Sequence, residues 1–482
     1  MNSKFQKLIN KYKPSGSYFV YKDEKLVFNE YFGYQDIEEK IKFNDQTLIR
    51  FSIYNNLIVM VSMMQLYEKK QFKFSDKISK YIPEYKEGNK ITIKQLLQHQ
   101  SLIIDFFSGH IMKEYIKTSS YNQMSFVDKA RFEILNSTKD YKANEVIDII
   151  NQYELNKKPG SEFEFTKTTP LLVSILVERI SKTSYEEYVF ENIIKPLDLE
   201  IHTKSINEAS DYDQTDDTKC FKVNISNESK KYYLLETKEY IKIFNGIIKN
   251  KIITKESWKI MTTFKEDVGI GVYGNEEIEL SLGFGKHSIS AIYNPKLELM
   301  VIFASNYEGD YILEHGSWFY FESEAKDLIT NNYIYPNNPY IEKFNDKNRY
   351  DFYDIMIKEE QEKYVPNVYK CIAYSYKKKD NYNYVLKDYG VPIGMFTLVM
   401  NKKNKLFEIR FFQIDKLYQN RGYGKIMLEK AIEILKQQGA KKLEIGLVAE
   451  NIPAYKTYKS LGFLETDVSS DFIMLEYEVS YD

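Results

Sequence analysis

Cysteine is nearly absent from this chain: 482 residues contain two, Cys220 and Cys371, far apart. That separation excludes a disulfide framework and any Cys-x-x-Cys metal site, and it fits a reducing compartment. Histidine is scarce as well, with five copies, all before residue 325. No metal centre is expected. Long apolar runs are missing too. The longest, Leu57–Met64, is broken by Ser62 and falls far short of a bilayer span. The opening "MNSKFQKLINKYKPSG" lacks the apolar core of a signal peptide. The expectation is a soluble, cytoplasmic protein with no membrane partner. Net charge is also small, −2 from 67 basic and 69 acidic residues, which argues against a nucleic-acid footprint over the whole surface.

What is present suffices for large cores. The chain is 43% hydrophobic and 28% charged, and its length implies roughly two or three domains. "SYFVYKDEKLVFNEYFGYQD" reads as a hairpin around the polar turn "KDEK", and residues 56–70 as an apolar helix. "SDKISKYIPEY" is read as a loop, and "TIKQLLQH" as a short helix with Thr92 as N-cap. "HSISAIYNPKLELMVIFASN" gives two strands around an Asn-Pro turn. Residues 326–345, with two prolines and several asparagines, are expected to link domains 1–325 and 346–482. Beyond the linker one helix is expected over "MIKEEQEKYVPNVYKCIAYSY". Strands "YNYVLKDYGVPIGMFTLVM" and "KLFEIRFFQID" follow, then the helix "GKIMLEKAIEILKQQG" and the strand "KKLEIGLV".

In the first part, "FKFSDKISKYIPEY", "ITIKQLLQHQS" and "KPGSEFEFTKTTPLLVSILVERISKTSYEEYVFENIIKPLDL" occur in an order that resembles the serine β-lactamase and penicillin-binding-protein-like family over residues 10–325. The resemblance implies a sheet flanked by helices with a helical lid region. The family's chemistry uses a serine nucleophile, a lysine one turn later, a Tyr-x-Asn and a Lys/His-x-Gly. Aligned on "LYEKKQF", Ile53 falls at the serine and Asn56 at the lysine. Phe165, Thr166 and Lys167 fall at Tyr-x-Asn, and Leu280, Ser281 and Leu282 near Lys/His-x-Gly. Ile53 has no lone pair to attack a carbonyl, so an inactive scaffold is expected. Ser-x-x-Lys strings at Ser323 and Ser375 lie outside this helix, and so short a pattern arises by chance. His99 is read as packed or hydrogen-bonded, Met60, Met63 and Met64 as core, and His287 and Lys167 as solvated or cleft-lining.

In the second part a strand ends at Ile414-Asp415, and Gln419-x-x-Gly422-x-Gly424 opens a helix. Glycines admit close approach of a ligand, and N–H groups at a helix start suit a pyrophosphate, although the same string also serves as plain turn chemistry. Downstream, "NIPAYKTYKSLGF" supplies Asn-x-x-Ala-x-x-x-Tyr-x-x-x-Gly-Phe. Together these resemble the GNAT (GCN5-related) N-acetyltransferases over residues 346–480, most nearly the bacterial diamine and spermidine acetyltransferases. The whole chain is therefore expected to combine α/β and α+β folds: a β-lactamase-like domain and a mixed αβ GNAT domain.

The second resemblance implies acetyl-CoA as co-substrate. It would be held by Gln419, Asn420, Arg421, Gly422, Tyr423, Gly424 and Lys425, with its pantetheine arm along Phe412, Gln413 and Ile414 and near Asn451. Tyr458 takes the general-acid position, its alternative being a core tyrosine. Glu408 matches a base used by several histone acetyltransferases, its alternative being a solvated carboxylate. Arg421 either contacts phosphate or faces solvent, Asp415 turns the chain, and the run Lys377–Lys379 is an exposed loop. The expected function is N-acetylation of a primary amine on a small molecule (polyamine-like, amino sugar or peptide-like). The first domain would be a structural partner or a module for a peptide or antibiotic-like ligand. A regulatory pseudoenzyme and a hydrolase with a relocated nucleophile are the alternatives, and the sequence sets no oligomeric state.

Overall fold

The computed structural model describes residues 2–480 except 138, 140, 156, 215–219, 224–231, 266, 275–276, 285–286, 308–319, 346, 377 and 402–405. The chain divides into two compact units, Met1–Ile329 and Thr330–Asp482. Lys377 of the lysine run and the side chain of Cys220 lie outside the described residues.

The first unit is built on a six-stranded antiparallel sheet in the order Lys25–Phe32, Ser15–Lys22, Leu299–Tyr307, His287–Asn294, Ile278–Phe284 and Tyr273–Gly274. Both expected hairpins form. Leu299–Tyr307 is buried along its whole length, because it lies inside the sheet and is covered on both faces. Helix Asn56–Glu68 is buried continuously from Leu57 to Leu66, which is why the sequence shows no polar stripe there. Met60, Met63 and Met64 sit in the core, as their spacing predicts. "SDKISKYIPEY" is irregular apart from one 3-10 turn at Ile78–Lys80.

Thr92 caps the helix Ile93–Leu97 through a reciprocal box with Gln95. This short helix positions the segment behind it. Gln95 Nε2 donates to the Pro159 carbonyl at 2.9 Å, and the carbonyls of His99 and Gln100 accept the N–H groups of Glu164 and Gly160, each at 2.8 Å. The loop carrying Phe165 and Lys167 is thereby fixed by a cap whose signal is legible in four residues.

The second unit holds a seven-stranded sheet in the order Tyr340–Lys343, Asn381–Asp388, Val391–Asn401, Leu406–Ile414, Lys442–Val448, Phe472–Glu478 and Leu464–Val468. All neighbours are antiparallel except Leu406–Ile414 and Lys442–Val448, which the helix Tyr423–Gln437 connects as a parallel pair. Two expectations change. Residues 326–345 are not a bare linker: helix Tyr320–Tyr333 runs into the stretch and strand Tyr340–Lys343 pairs at the sheet edge. The single helix expected over 356–376 is a 3-10 turn at Glu359–Gln361 and a helix at Val368–Tyr376. Pro366 lacks an N–H and pushes Val365 toward extended geometry, so the helix starts anew behind it.

Thr92→Ala should lower the stability of the first unit by about 1 kcal/mol, the usual worth of an N-cap. Urea unfolding of the full chain should show an earlier first-unit transition, and Thr92→Ser should restore it.

Candidate functional site

In the second unit the parallel ladder is short. Glu408 pairs with Glu444 and Ile409 with Ile445, and among the described residues no pairing continues beyond them. Phe411 has φ +49°, a left-handed value in a non-glycine residue, and the pairing with Val391–Asn401 shifts register there. Past this bulge the two parallel strands separate, and one backbone edge of Phe412–Ile414 has no strand partner among the described residues.

A cleft of about 600 Å3 occupies the gap, and its walls include Phe412, Gln413, Ile414, Gln419, Asn420, Gly422, Gly424, Lys425, Asn451 and Tyr458. A second cavity of about 200 Å3 contains Glu408 and Arg410 and shares Phe412, Asn451 and Tyr458 with the first. Arg421 and Tyr423 line neither. Arg421 Nη1 instead donates to the carbonyls of Asn331 and Ile334, the latter at 2.7 Å, so its guanidinium is occupied at the end of another helix. Tyr423 is buried and donates its hydroxyl to Asp388 at 2.9 Å. Neither residue lines the cleft.

The turn before the helix Tyr423–Gln437 passes through left-handed geometry at Asn420 (φ +61°) and Gly422 (φ +90°). Among the described residues no side chain caps the helix, so its first N–H groups lack a side-chain acceptor there. A Cβ on Gly424 would meet nothing closer than Thr457 Cγ2 at 3.8 Å. Gln419 is tied down: its Nε2 donates to the Ile414 carbonyl at 3.0 Å and to Gln361 Oε1 at 2.8 Å. Gln413 contributes backbone, because its side chain turns inward and its Nε2 lies 3.6 Å from Cys371 Sγ. Cys371 is fully buried and its thiol pKa is pushed up to about 12 by burial. Asp415 turns the chain, accepting the N–H groups of Met356 at 2.7 Å and Leu417 at 2.8 Å.

Tyr458 is 4% exposed, and its ring packs edge-on against Phe412 with centroids 5.9 Å apart. Its hydroxyl makes no hydrogen bond among the described residues, and burial holds its pKa well above the ordinary phenol value. Glu408 is paired with Arg410 Nη2 at 2.5 Å. Asn451 Oδ1 accepts the Ala454 N–H at 3.4 Å and caps the helix Ile452–Ser460. That helix also brings Lys456 and Thr457 to the cleft, and the segment before Pro366 brings Gln361, Tyr364 and Val365. Sequence reasoning missed these. Lys456 and Thr457 sit inside the recognised "NIPAYKTYKSLGF", whereas Gln361 and Tyr364 were hidden in a stretch read as one continuous helix.

The first unit has its own cleft, about 360 Å3, lined in part by Ser52, Asn56, Phe165, Lys167, Gly283 and His287. Ile53 does not line it. Its side chain is fully buried in the core, and its carbonyl accepts the Tyr185 hydroxyl at 2.7 Å. Asn56 Oδ1 is 3.1 Å from Nε2 of the buried His99. Leu280 and Leu282 face the core, so Gly283 and His287, rather than 280–282, reach the cleft from this strand region. His287 Nδ1 accepts the Arg50 N–H at 2.9 Å. Arg50 in turn pairs with Asp211 and Glu208.

Burial lowers the pKa of both His99 and His287 from 6.5 to about 4. Each binds its proton more readily in the unfolded chain, so their contribution to stability is intact above about pH 6.5 and is lost progressively down to about pH 4. Histidine Cε1–H resonances followed by NMR should show two groups with midpoints near 4, absent in His99→Gln and His287→Gln respectively.

Comparison with known proteins agrees with this division. The β-lactamase family profile matches residues 2–216 and the acetyltransferase (GNAT) family profile residues 345–463. Protein flp of Staphylococcus aureus (strain NCTC 8325 / PS 47) is 24% identical over 326 residues, covering 62% of this chain and 61% of its own. Teichoic acid D-alanine hydrolase of Staphylococcus aureus is 25% identical over 207 residues, covering 42% of this chain and 45% of its own. The chain thus spans less than two thirds of the curated relatives it matches. Among solved structures, a penicillin-binding protein from Bacillus halodurans superposes with TM-score 0.53 at 15% identity, covering 67% of this chain and 99% of its own. FmtA from Staphylococcus aureus gives 0.51 at 18% identity, covering 69% and 89%. These two likenesses concern fold alone. The chain carries an N-terminal β-lactamase domain and a C-terminal GNAT acetyltransferase domain.

Proposed function

We propose that the second unit moves an acetyl group from acetyl-CoA to a primary amine on a small molecule, polyamine-like, amino sugar or peptide-like. The observation that carries this reading is Tyr458: a buried phenol, without a hydrogen-bond partner among the described residues, where two cavities meet. Acetyl-CoA, when bound, supplies an activated acyl group as a thioester. The helix start at Tyr423–Lys425, with Lys425 and Lys456 in the wall, suits its pyrophosphate. The backbone edge of Phe412–Ile414 that no strand pairs among the described residues suits an extended arm, and Asn451 lies beside it.

Tyr458 Oη keeps its proton across neutral pH because burial opposes ionisation. It holds that proton where a departing thiolate needs one. Glu408 sits in the smaller cavity, and its carboxylate receives a proton from the acceptor ammonium directly or through water. Arg410 offsets its charge.

For the first unit, a hydrolase reading draws on the name of the D-alanine hydrolase relative and on the surviving cleft. Against it stands Ile53, an aliphatic side chain turned into the core where the resemblance expects the nucleophile. Ser52 lines the cleft, but Asn55 rather than a lysine stands three positions after it, and we assign the first unit no covalent serine chemistry.

Tyr458→Phe keeps the ring packing and should lower kcat about 10²-fold while leaving acetyl-CoA affinity intact. Unchanged turnover in a thiol-release assay would remove Tyr458 from the mechanism. Glu408→Gln should lose activity near neutral pH and regain part of it at higher pH, where more amine is already unprotonated. Gly424→Val has room for its Cβ and should fold, yet acetyl-CoA affinity by calorimetry should fall at least about tenfold, or 1.4 kcal/mol. Gly422 is a poorer probe, because any side chain there meets a φ of +90°. On the first unit, nitrocefin should remain intact and penicillin should leave no adduct by intact mass.

A further inference from the structure

Arg421 stands between the two left-handed residues of the glycine turn, Asn420 at φ +61° and Gly422 at φ +90°. A left-handed asparagine costs free energy, so contacts from outside the turn must hold it. Residues 331–338, also in the second unit, supply such contacts. Arg421 Nη1 donates to the carbonyls of Asn331 and Ile334, the latter at 2.7 Å. Asn331 lies in the last turn of the helix Tyr320–Tyr333, where carbonyls lack an intrahelical donor and a cation is favoured. The guanidinium also lies over the rings of Tyr335 and Tyr418, 5.3 and 5.6 Å from their centroids. Tyr418 in turn donates its hydroxyl to Asn331 Oδ1 at 2.5 Å.

The same segment is fastened a second time. The buried Asp388 carboxylate accepts the N–H groups of Asn337 at 2.9 Å and Asn338 at 3.2 Å, together with the Tyr423 hydroxyl. Between the two fastenings Pro336 faces the turn: a Cβ built on Gly422 would lie 3.9 Å from Pro336 Cγ. Residues 331–338 therefore run along the turn from Tyr418 to Tyr423, yet none of them lines either cleft of the second unit. They also precede residue 345, where the match to the acetyltransferase profile begins. The turn is held by chain that lies outside the matched region.

We propose that residues 331–338 are a strap that fixes the turn Gln419–Lys425 for acetyl-CoA, with Arg421 as its positioning residue. This role rests on the reading of the larger cleft as an acetyl-CoA site. Arg421 acts through the backbone it holds, and its side chain stays on the carbonyls of Asn331 and Ile334 when the cofactor binds. Donors that are already aimed lose less freedom on binding, so the strap contributes to cofactor affinity rather than to the chemical step.

Hydrogen exchange by mass spectrometry on the ligand-free full chain, with calorimetry of acetyl-CoA, tests this. In Arg421→Met, peptides covering 331–338 and 418–425 should exchange at least about fivefold faster, the rest of the second unit being unchanged. Acetyl-CoA affinity should fall at least about tenfold and its KM should rise in step, with kcat at saturation within about threefold. Asn331→Ala, on the strap itself, should move exchange and affinity in the same direction by a smaller factor. Circular dichroism confirms that each variant folds. Faster exchange with unchanged affinity, or a fall confined to kcat, would overturn the positioning role. Weaker binding with unchanged exchange in the ligand-free chain would mean that the guanidinium contacts phosphate directly, and would overturn the strap. Absence of acetyl-CoA binding by the unmodified chain would instead overturn the reading of the cleft, and the strap's role with it.

Discussion

Everything in the second unit's site follows from a ladder that stops after two residue pairs. A parallel pair normally hides both edges, yet here the bulge at Phe411 turns the strand away just past Ile409. The left-handed conformation at a bulky residue carries strain, of order 1–3 kcal/mol, that the surrounding sheet must compensate. The result is an opening in the middle of a sheet, with unpaired backbone on one wall, a helix start at one end and a phenol at the floor. Had the ladder continued, Tyr458 would be an ordinary core residue and the glycine turn an ordinary loop.

The first unit shows how a fold absorbs the loss of reactive groups. Where the resemblance expects a serine, Ile53 extends the hydrophobic core, and its carbonyl is taken by Tyr185. Where it expects a lysine, Asn56 pairs with a histidine that burial keeps neutral. Such replacements satisfy packing and hydrogen bonding without restoring a nucleophile, so the cleft persists as shape. At Lys167 the resemblance expects the asparagine of Tyr-x-Asn, so a cation stands there in place of a neutral amide.

The legibility of these features in the sequence depended on their range. Period-two strands, the Thr92 cap and the glycine turn are local, and their residues state them directly. The helix over 356–376 failed at Pro366, a signal that was present and outweighed by the apolar periodicity around it. The edge strand Tyr340–Lys343 was hidden by asparagine-rich neighbours, since pairing at an edge asks little of composition. Arg421 and Tyr423 lie in the right string, but their side chains are claimed by Asn331, Ile334 and Asp388, more than thirty residues away. No local pattern announces such long-range partners. The bulge at Phe411 was likewise silent, because nothing about phenylalanine foretells a left-handed backbone.

Cys371 lies one side chain behind the cleft wall, against Gln413. Any protein that handles an activated thioester next to its own sulfur runs the hazard of trans-thioesterification, in which the acyl group migrates to the wrong nucleophile. Only a thiolate does this efficiently. With its pKa pushed to about 12 and no exposed surface, this sulfur stays protonated and out of reach. On the reading proposed above, protection of an internal thiol from acylation is thus built into how deeply one small side chain is packed.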